Sequence, residues 1–250
     1  MSKVIKIKSQ LRKEKNKAFL MVLLSFLFVL ICFASGVGIL VSILLEKSTI
    51  HIAIPILILI LALIFIIVFF TCRKKYDILK AGVRGENATL KILKKLPKDF
   101  TVITNPVILN RGIKMELDFL VIGKNSVFIV ETKNHRGILS GKTSNAEWHQ
   151  VKHSKNGKVY EKDISNPIKQ SFRQCRRMEE LFRDFDITAT VYSVLFFVDS
   201  RTELKILDDA QMNVAIFNDA ESMLDYIENT KGKHTISQNE LIKIKQIFKK

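Results

Sequence analysis

Two unbroken apolar stretches dominate the first third of the chain, and alternating or helically spaced apolar positions organise the rest. From Ala18 to Leu45 no residue is charged, and from Ile50 to Cys72 the ionisable side chains are His51, near the leading end, and the thiol of Cys72. Each run exceeds the roughly 20 apolar residues that cross about 30 Å of hydrocarbon, so the pattern predicts two transmembrane helices. The link Glu46-Lys47-Ser48-Thr49 is too short for a domain and makes the pair a hairpin. A secretory signal is a poor reading of the first run, whose apolar part is too long and is followed by no small-residue cleavage site. Lys3, Lys6, Lys8, Arg12, Lys13, Lys15 and Lys17 precede the first run, and Arg73, Lys74 and Lys75 follow the second. Basic flanks mark the cytoplasmic side, so both termini and everything after residue 72 are expected in the cytoplasm at the cell membrane, with the link outside.

Beyond the spans the period changes. Tyr76 to Leu96 has helical spacing, with Glu86, Leu90 and Leu93 on one stripe. Met115–Ile122 and Val127–Lys133 are rich in β-branched and aromatic residues and are separated by Gly123-Lys124-Asn125-Ser126, which predicts a β-hairpin. Asn166-Pro167 is a helix start, an N-cap followed by proline at the first helical position. The helix from about Pro167 to Asp184 is expected to bury Ile168, Phe172, Cys175, Phe182 and Phe185, and to turn Gln170, Arg173, Gln174 and Arg177 to a face suited to phosphates. Thr188–Phe197 and Asn213–Phe217 read as strands, and Ser237-x-x-Glu240 as a capping box opening a last helix. The chain thus divides into a basic, mobile lead (1–17), a membrane hairpin (18–72), an α/β domain (76–200) and a strand and helices completing it (201–250).

The hairpin carries the candidate chemistry. Side chains alternate along a strand, so Glu131 and Lys133 share one face, and Glu116 and Asp118 share another. A register that joins those faces sets Asp118, Glu131 and Lys133 around one point. Acids and a lysine at the ends of apolar strands are costly to bury unpaired, so they hold a metal, form a salt bridge or sit in a cleft. Mg²⁺ takes oxygen ligands and keeps several waters, which Asp118, Glu131 and a main-chain carbonyl would satisfy. Such an ion on a phosphodiester neutralises developing charge and acidifies a water, while Lys133 orients the nucleophile or stabilises charge. The plainer alternative is a surface aspartate beside an ordinary Glu/Lys ladder.

Gly82-x-x-Gly85-Glu86, Leu96-Pro97, Glu116-Leu117-Asp118, Phe128-Ile129-Val130-Glu131-Thr132-Lys133-Asn134 with Gly137, Trp148, and Asn166-Pro167-Ile168-x-Gln170 occur in that order. Together they resemble the nuclease-related domain (NERD) family of the PD-(D/E)xK restriction-endonuclease-like superfamily, over roughly residues 76–200. The resemblance implies a restriction-endonuclease-like α/β core, a mixed central sheet flanked by helices, preceded here by the two apolar helices. It also implies metal ligation by Asp118 and Glu131, a catalytic role for Lys133, an acid from the helix at Glu86, and a site-lining role for Gln170. Where related nucleases often carry a tyrosine four places after this glutamine, the present chain has Gln174.

A length of 250 residues suits one moderate core besides the hairpin, and part of the net charge of +16 is the membrane flanks. The remaining basic clusters, Lys91-Lys94-Lys95, Lys152-Lys155-Lys158 and Arg173-Arg176-Arg177, surround the candidate site and favour a polyanion. Cys32, Cys72 and Cys175 form no disulfide or zinc pattern. His149 and His153 lie in a stretch that reads as an exposed hairpin, a weak setting for a metal. Gly141-Lys142-Thr143 lacks the glycine a P-loop needs at position 136, which is Arg136, so nucleotide hydrolysis is rejected. The expected function is a membrane-anchored, Mg²⁺- or Mn²⁺-dependent nuclease acting on DNA rather than RNA. The alternative is a catalytically silent, membrane-tethered nucleic-acid-binding or scaffold protein.

Overall fold

The computed structural model describes residues 1–45, 50–110, 112–154, 156–210 and 212–248; the link at 46–49, and with it the expected turn of the membrane hairpin, lies outside them, as does Lys155. The chain begins with β1 (Lys3–Lys6), α1 (Gln10–Leu44) and α2 (Ala53–Leu93). Strands β2 (Thr101–Thr104), β3 (Val107–Asn110), β4 (Ile113–Glu116), β5 (Phe119–Ile122) and β6 (Ser126–Lys133) follow. Next come β7 (Gly137–Lys142), β8 (Glu147–His153), β9 (Val159–Ser165) and α3 (Pro167–Asp184). The chain ends with β10 (Thr190–Phe197), β11 (Thr202–Leu207), β12 (Val214–Phe217), α4 (Ala220–Asn229) and α5 (Gln238–Ile247).

The chain divides into two compact units, one of residues 10–83 and the other of 1–9 with 84–250. The first is a pair of helices, both long and apolar enough to cross a membrane. Phe28 stacks on Phe65 with ring centroids 4.9 Å apart, Phe19 meets Tyr76 at 5.4 Å, and Gly36 lies under Leu59, so the helices run antiparallel. The sequence pattern predicts a separate helix from Tyr76. Instead α2 is one helix from Ala53 to Leu93, because Arg73-Lys74-Lys75 joins the two apolar patterns with good helix formers and no breaker.

The second unit is mixed α/β. Its main sheet has the order β1-β2-β5-β6-β10-β12, with β6 parallel to β10 and antiparallel to β5. Alternation along β6 divides the core. Val127 and Ile129 pack with Met178, Leu181 and Phe182 of α3 and Ile244 of α5, whereas Phe128 and Val130 pack with Leu93 of α2 and Met223 and Ile227 of α4. Strand β1 falls inside the expected mobile lead. Its Val4-Ile5 pair, flanked by lysines, adds a parallel edge strand to β2 with Val4 opposite Val102, and lysines are what an exposed sheet edge tolerates.

The predicted hairpin is present, with Phe119 opposite Val130, Ile122 opposite Val127, and Gly123 N donating to Ser126 O at 2.9 Å. Its first strand is shorter than expected. Met115 and Glu116 belong to β4, which pairs with β3 in a separate two-stranded sheet, and the chain breaks at Leu117-Asp118. Thr104 lies opposite Phe119 before the break and Val107 opposite Glu116 after it, equal steps on both strands, so the register is kept through a bend. Asn105, at φ 52°, and Pro106, which has no N–H, make that bend. Asn105 N donates to Asp118 O and Leu117 N to Pro106 O, both at 2.9 Å.

A second, four-stranded sheet (β11-β7-β8-β9) follows β6 after a three-residue step. Trp148 is buried with Leu139, Ile164, Ile168, Leu195 and Phe197, and its Nε1 donates to Lys142 O at 2.9 Å. Gly137 has φ 86°, and a Cβ there would collide with the Val151 carbonyl oxygen, so that step requires glycine. Helix α3 opens as predicted: Asn166 Oδ1 accepts from Ile168 N at 2.9 Å while its Nδ2 donates to Thr143 O and Asn145 O. Its buried face differs from expectation. Phe172 and Phe185 are 38% and 46% exposed, while Ser171 and Gln174 are buried, because the face toward β6 and β10 is set by Ile168, Ser171, Gln174, Met178 and Leu181. The capping box at Ser237 and Glu240 is complete.

Candidate active site

Continuing the β5–β6 register one position past Phe119 and Val130 brings Asp118 opposite Glu131, at the point where β5 ends. There the ladder gives way to a side chain: Thr132 N donates to Asp118 Oδ2 at 2.8 Å. The bend thus does two things. It ends the strand, and it fixes the Asp118 carboxylate at the edge of the central strand.

Glu131 and Lys133 are on the α3 face of β6. Glu131 is 4% exposed, which demands partners for a charged group. Lys133 Nζ donates to Glu131 Oε1 at 2.6 Å and to Gln170 Oε1 at 2.9 Å, and Gln170 Nε2 donates to the same Glu131 oxygen at 2.8 Å. The other oxygen, Oε2, accepts from Gln174 Nε2 at 2.8 Å. Gln170 and Gln174 are one helical turn apart, so one face of α3 supplies both donors. Thr132, pointing the other way, joins Thr89 of α2 at 3.2 Å. Gly85 of α2 lies against Asn134, close enough that an added Cβ would stand 3.0 Å from the Asn134 Cβ, and the next residue is the buried Glu86.

Electrostatics join these groups. The Asp118 carboxyl is raised well above the ordinary aspartate range, first by desolvation and then by the negative charges of Glu131 and Glu86. The Thr132 N–H and the Lys133 ammonium oppose that rise. Asp118, Glu131, Glu86, Lys133 and Gln170 therefore gather in one place. Arg173 is exposed and Arg177 half-buried on α3, and neither has an ion pair among the described residues, so both remain open to solvent-borne anions.

Gln174 is the residue that sequence reasoning misplaces. Helical spacing assigns it to the polar, phosphate-facing surface, but it is 2% exposed and holds Glu131. The departure from the related nucleases' tyrosine at that position is the available signal. Its Oε1, like Ser171 Oγ on α3 and Ser193 Oγ on β10, is buried and has no partner among the described residues.

Among the described residues no three His, Cys, Asp or Glu side chains converge tightly enough to hold a metal ion by themselves. The donor set nevertheless suits a hard, heavily hydrated cation, which binds through one or two carboxylates and keeps its waters. Asp118 and Glu131 supply two, and the charges of Glu131 and Glu86, which add to burial in raising the Asp118 carboxyl, are ones that a cation would offset. His149, by contrast, faces Asp163 at 3.0 Å and Glu161 at 3.4 Å on the β8–β9 hairpin, which accounts for it as an ion-paired surface histidine.

Residues 81–198 match the family model of the nuclease-related domain. That span contains every residue of the cluster. An uncharacterized protein of Bacillus anthracis is 31% identical over 112 residues, covering 43% of this chain and 50% of that protein. The chain thus spans about half the length of this curated relative. No solved structure matches the chain.

Proposed function

We propose that this chain, which carries a nuclease-related domain over residues 81–198, is a membrane-anchored nuclease that hydrolyses phosphodiester bonds of DNA with Mg²⁺ or Mn²⁺. The carrying observation is the Asp118 carboxylate, held by Thr132 N at the β5 position opposite Glu131 and driven toward its protonated form by burial and then by the charges of Glu131 and Glu86. A binding module has no use for acids that repel one another in a desolvated place; a cation site does. Asp118 and Glu131 would hold the cation, which supplies charge neutralisation at the phosphate and an acidified water. Lys133, kept in place by Glu131 and Gln170, would orient the nucleophile or stabilise charge on the phosphate oxygens, and Arg173 and Arg177 would receive flanking phosphates. The two apolar helices support anchoring in a bilayer, with the nuclease unit cytoplasmic by the basic flanks.

A second reading has one observation in its favour. Both Glu131 oxygens accept from protein donors, a closed arrangement that a silent nucleic-acid-binding or scaffold protein could keep for structure alone. The test is cleavage by the full-length chain in detergent micelles, on single- and double-stranded DNA and on RNA. Cutting of DNA with Mg²⁺ or Mn²⁺ that stops with a chelator is the expected result. Binding without cleavage under every condition would establish the second reading instead.

A further inference from the structure

The four-stranded sheet concentrates positive charge beside the candidate site. Three residues after Lys133, Arg136 stands at the rim of a recess of about 400 Å³ formed with Gly137, Lys152, His153, Ser154 and Arg201. Lys152 and Lys162 are diagonal neighbours on one face of the β8–β9 pair, since Lys152 is opposite Tyr160 and Gln150 opposite Lys162. The backbone here is held firmly: Gln150 Nε2 donates to Arg136 O at 3.0 Å, Thr202 Oγ1 to His135 O at 2.7 Å, and Gly137 N to Arg201 O at 3.3 Å.

Among the described residues that line the recess none is acidic. Asp199 is taken by Arg201 through two hydrogen bonds at 2.8 and 2.6 Å, and Arg136, Lys152 and Lys162 have no ion pair among the described residues. Their crowding is felt locally. Lys152 is lowered by burial and by Lys162 and Arg136, and His135 falls to about 4 through burial and then Lys133, Lys162 and Lys152. His135, on the step between β6 and β7, thus lies near both the site lysine and the lysines of the sheet.

We propose that Arg136, Lys152 and Lys162 form the surface that tracks nucleic-acid backbone phosphates adjacent to the scissile one, carrying the strand from Lys133 onto the four-stranded sheet. This rests on the nuclease reading and adds to it the path of the substrate. Three residues span at most about 10–11 Å, so Arg136 is within reach of a neighbouring phosphate while Lys133 faces the bond to be cut.

The test is fluorescence anisotropy of a labelled DNA duplex with the full-length chain in detergent, across a salt series without divalent cations. Three proteins are compared: wild type, R136A/K152A/K162A, and the equal-charge control K98A/K231A/K233A, whose three lysines are exposed and belong to none of the basic clusters around the site. Every phosphate that the protein no longer neutralises takes about 0.9 off the slope of log affinity against log salt. The first triple variant is expected to lose about two to three units of slope, and the control less than one. Equal losses in both, or no loss in the first, would overturn this surface and leave the nuclease reading standing. Absence of DNA binding by the wild type would overturn both.

Discussion

Two carboxylates of the same unit are held in opposite ways. Glu240, at the start of α5, accepts from Thr188 N at 2.7 Å and Oγ1 at 2.8 Å and from Ser237 N at 2.9 Å, and these donors bring it down to about 2. Asp118 also accepts a backbone N–H, yet desolvation and the charges of Glu131 and Glu86 drive it upward. Glu240 is an acid whose surroundings favour its charge. Asp118 is one whose surroundings resist it, and a cation bound there, as proposed, would relieve that resistance.

The largest effects should appear where that resistance is released by substrate and metal. Asp118→Ala or Glu131→Ala is expected to abolish cleavage, measured as loss of Mg²⁺-dependent cutting in a protein whose circular dichroism is unchanged. Retained cutting by either variant would move the chemistry elsewhere. Lys133→Ala is expected to reduce the rate by about two to four orders of magnitude while leaving cation binding in place, because in the proposed mechanism it removes one transition-state group and no ligand. Next is Gln174→Leu, which leaves Glu131 Oε2 without its donor. An unmet buried acceptor costs about 1–3 kcal/mol, so kcat is expected to fall roughly tenfold or more with KM little changed, and an unchanged kcat would make Gln174 packing alone.

The smallest effects test the comparison itself, through stability. A raised Asp118 means that the folded protein holds its proton more tightly than the unfolded chain. Stability therefore falls as pH rises from the ordinary aspartate value through the raised one. Glu240 has the opposite sign: its contribution is present above the ordinary value of 4.5 and is lost as pH falls toward about 2. In a chelator at neutral pH, Asp118→Asn should raise the Tm of the folded unit. Glu240→Gln should lower it by about 2–4 °C, the equivalent of about 1 kcal/mol for a capping contact at an exposed position. Shifts of the same sign would show that the two acids are not opposites.

The hairpin and the N-cap at Asn166 are legible in the sequence because their signals are local: period-two alternation, a turn between two runs, and Asn before Pro. Glu131 and Lys133 follow from parity along one strand. The bend at Asn105-Pro106 is not legible, since it concerns a partner strand ten or more residues away, and it decides where β5 ends and Asp118 begins. Strand β1 is hidden by its lysines, which resemble a membrane flank as much as a guarded sheet edge. Gln174 is misassigned because helical spacing gives a stripe but not which stripe is turned inward; the buried charge of Glu131 settles that, drawing two glutamines to one face while Phe172 goes to solvent.

The central claim is that Asp118 and Glu131 form a divalent-cation site, and Mn²⁺ binding followed by electron paramagnetic resonance tests it most directly. Titration of the full-length chain in detergent should show a site that weakens as pH is lowered through the raised Asp118 carboxyl, is displaced by Mg²⁺, and is lost in Asp118→Asn. Mn²⁺ binding of equal affinity in wild type and Asp118→Asn, or none in wild type, would contradict it.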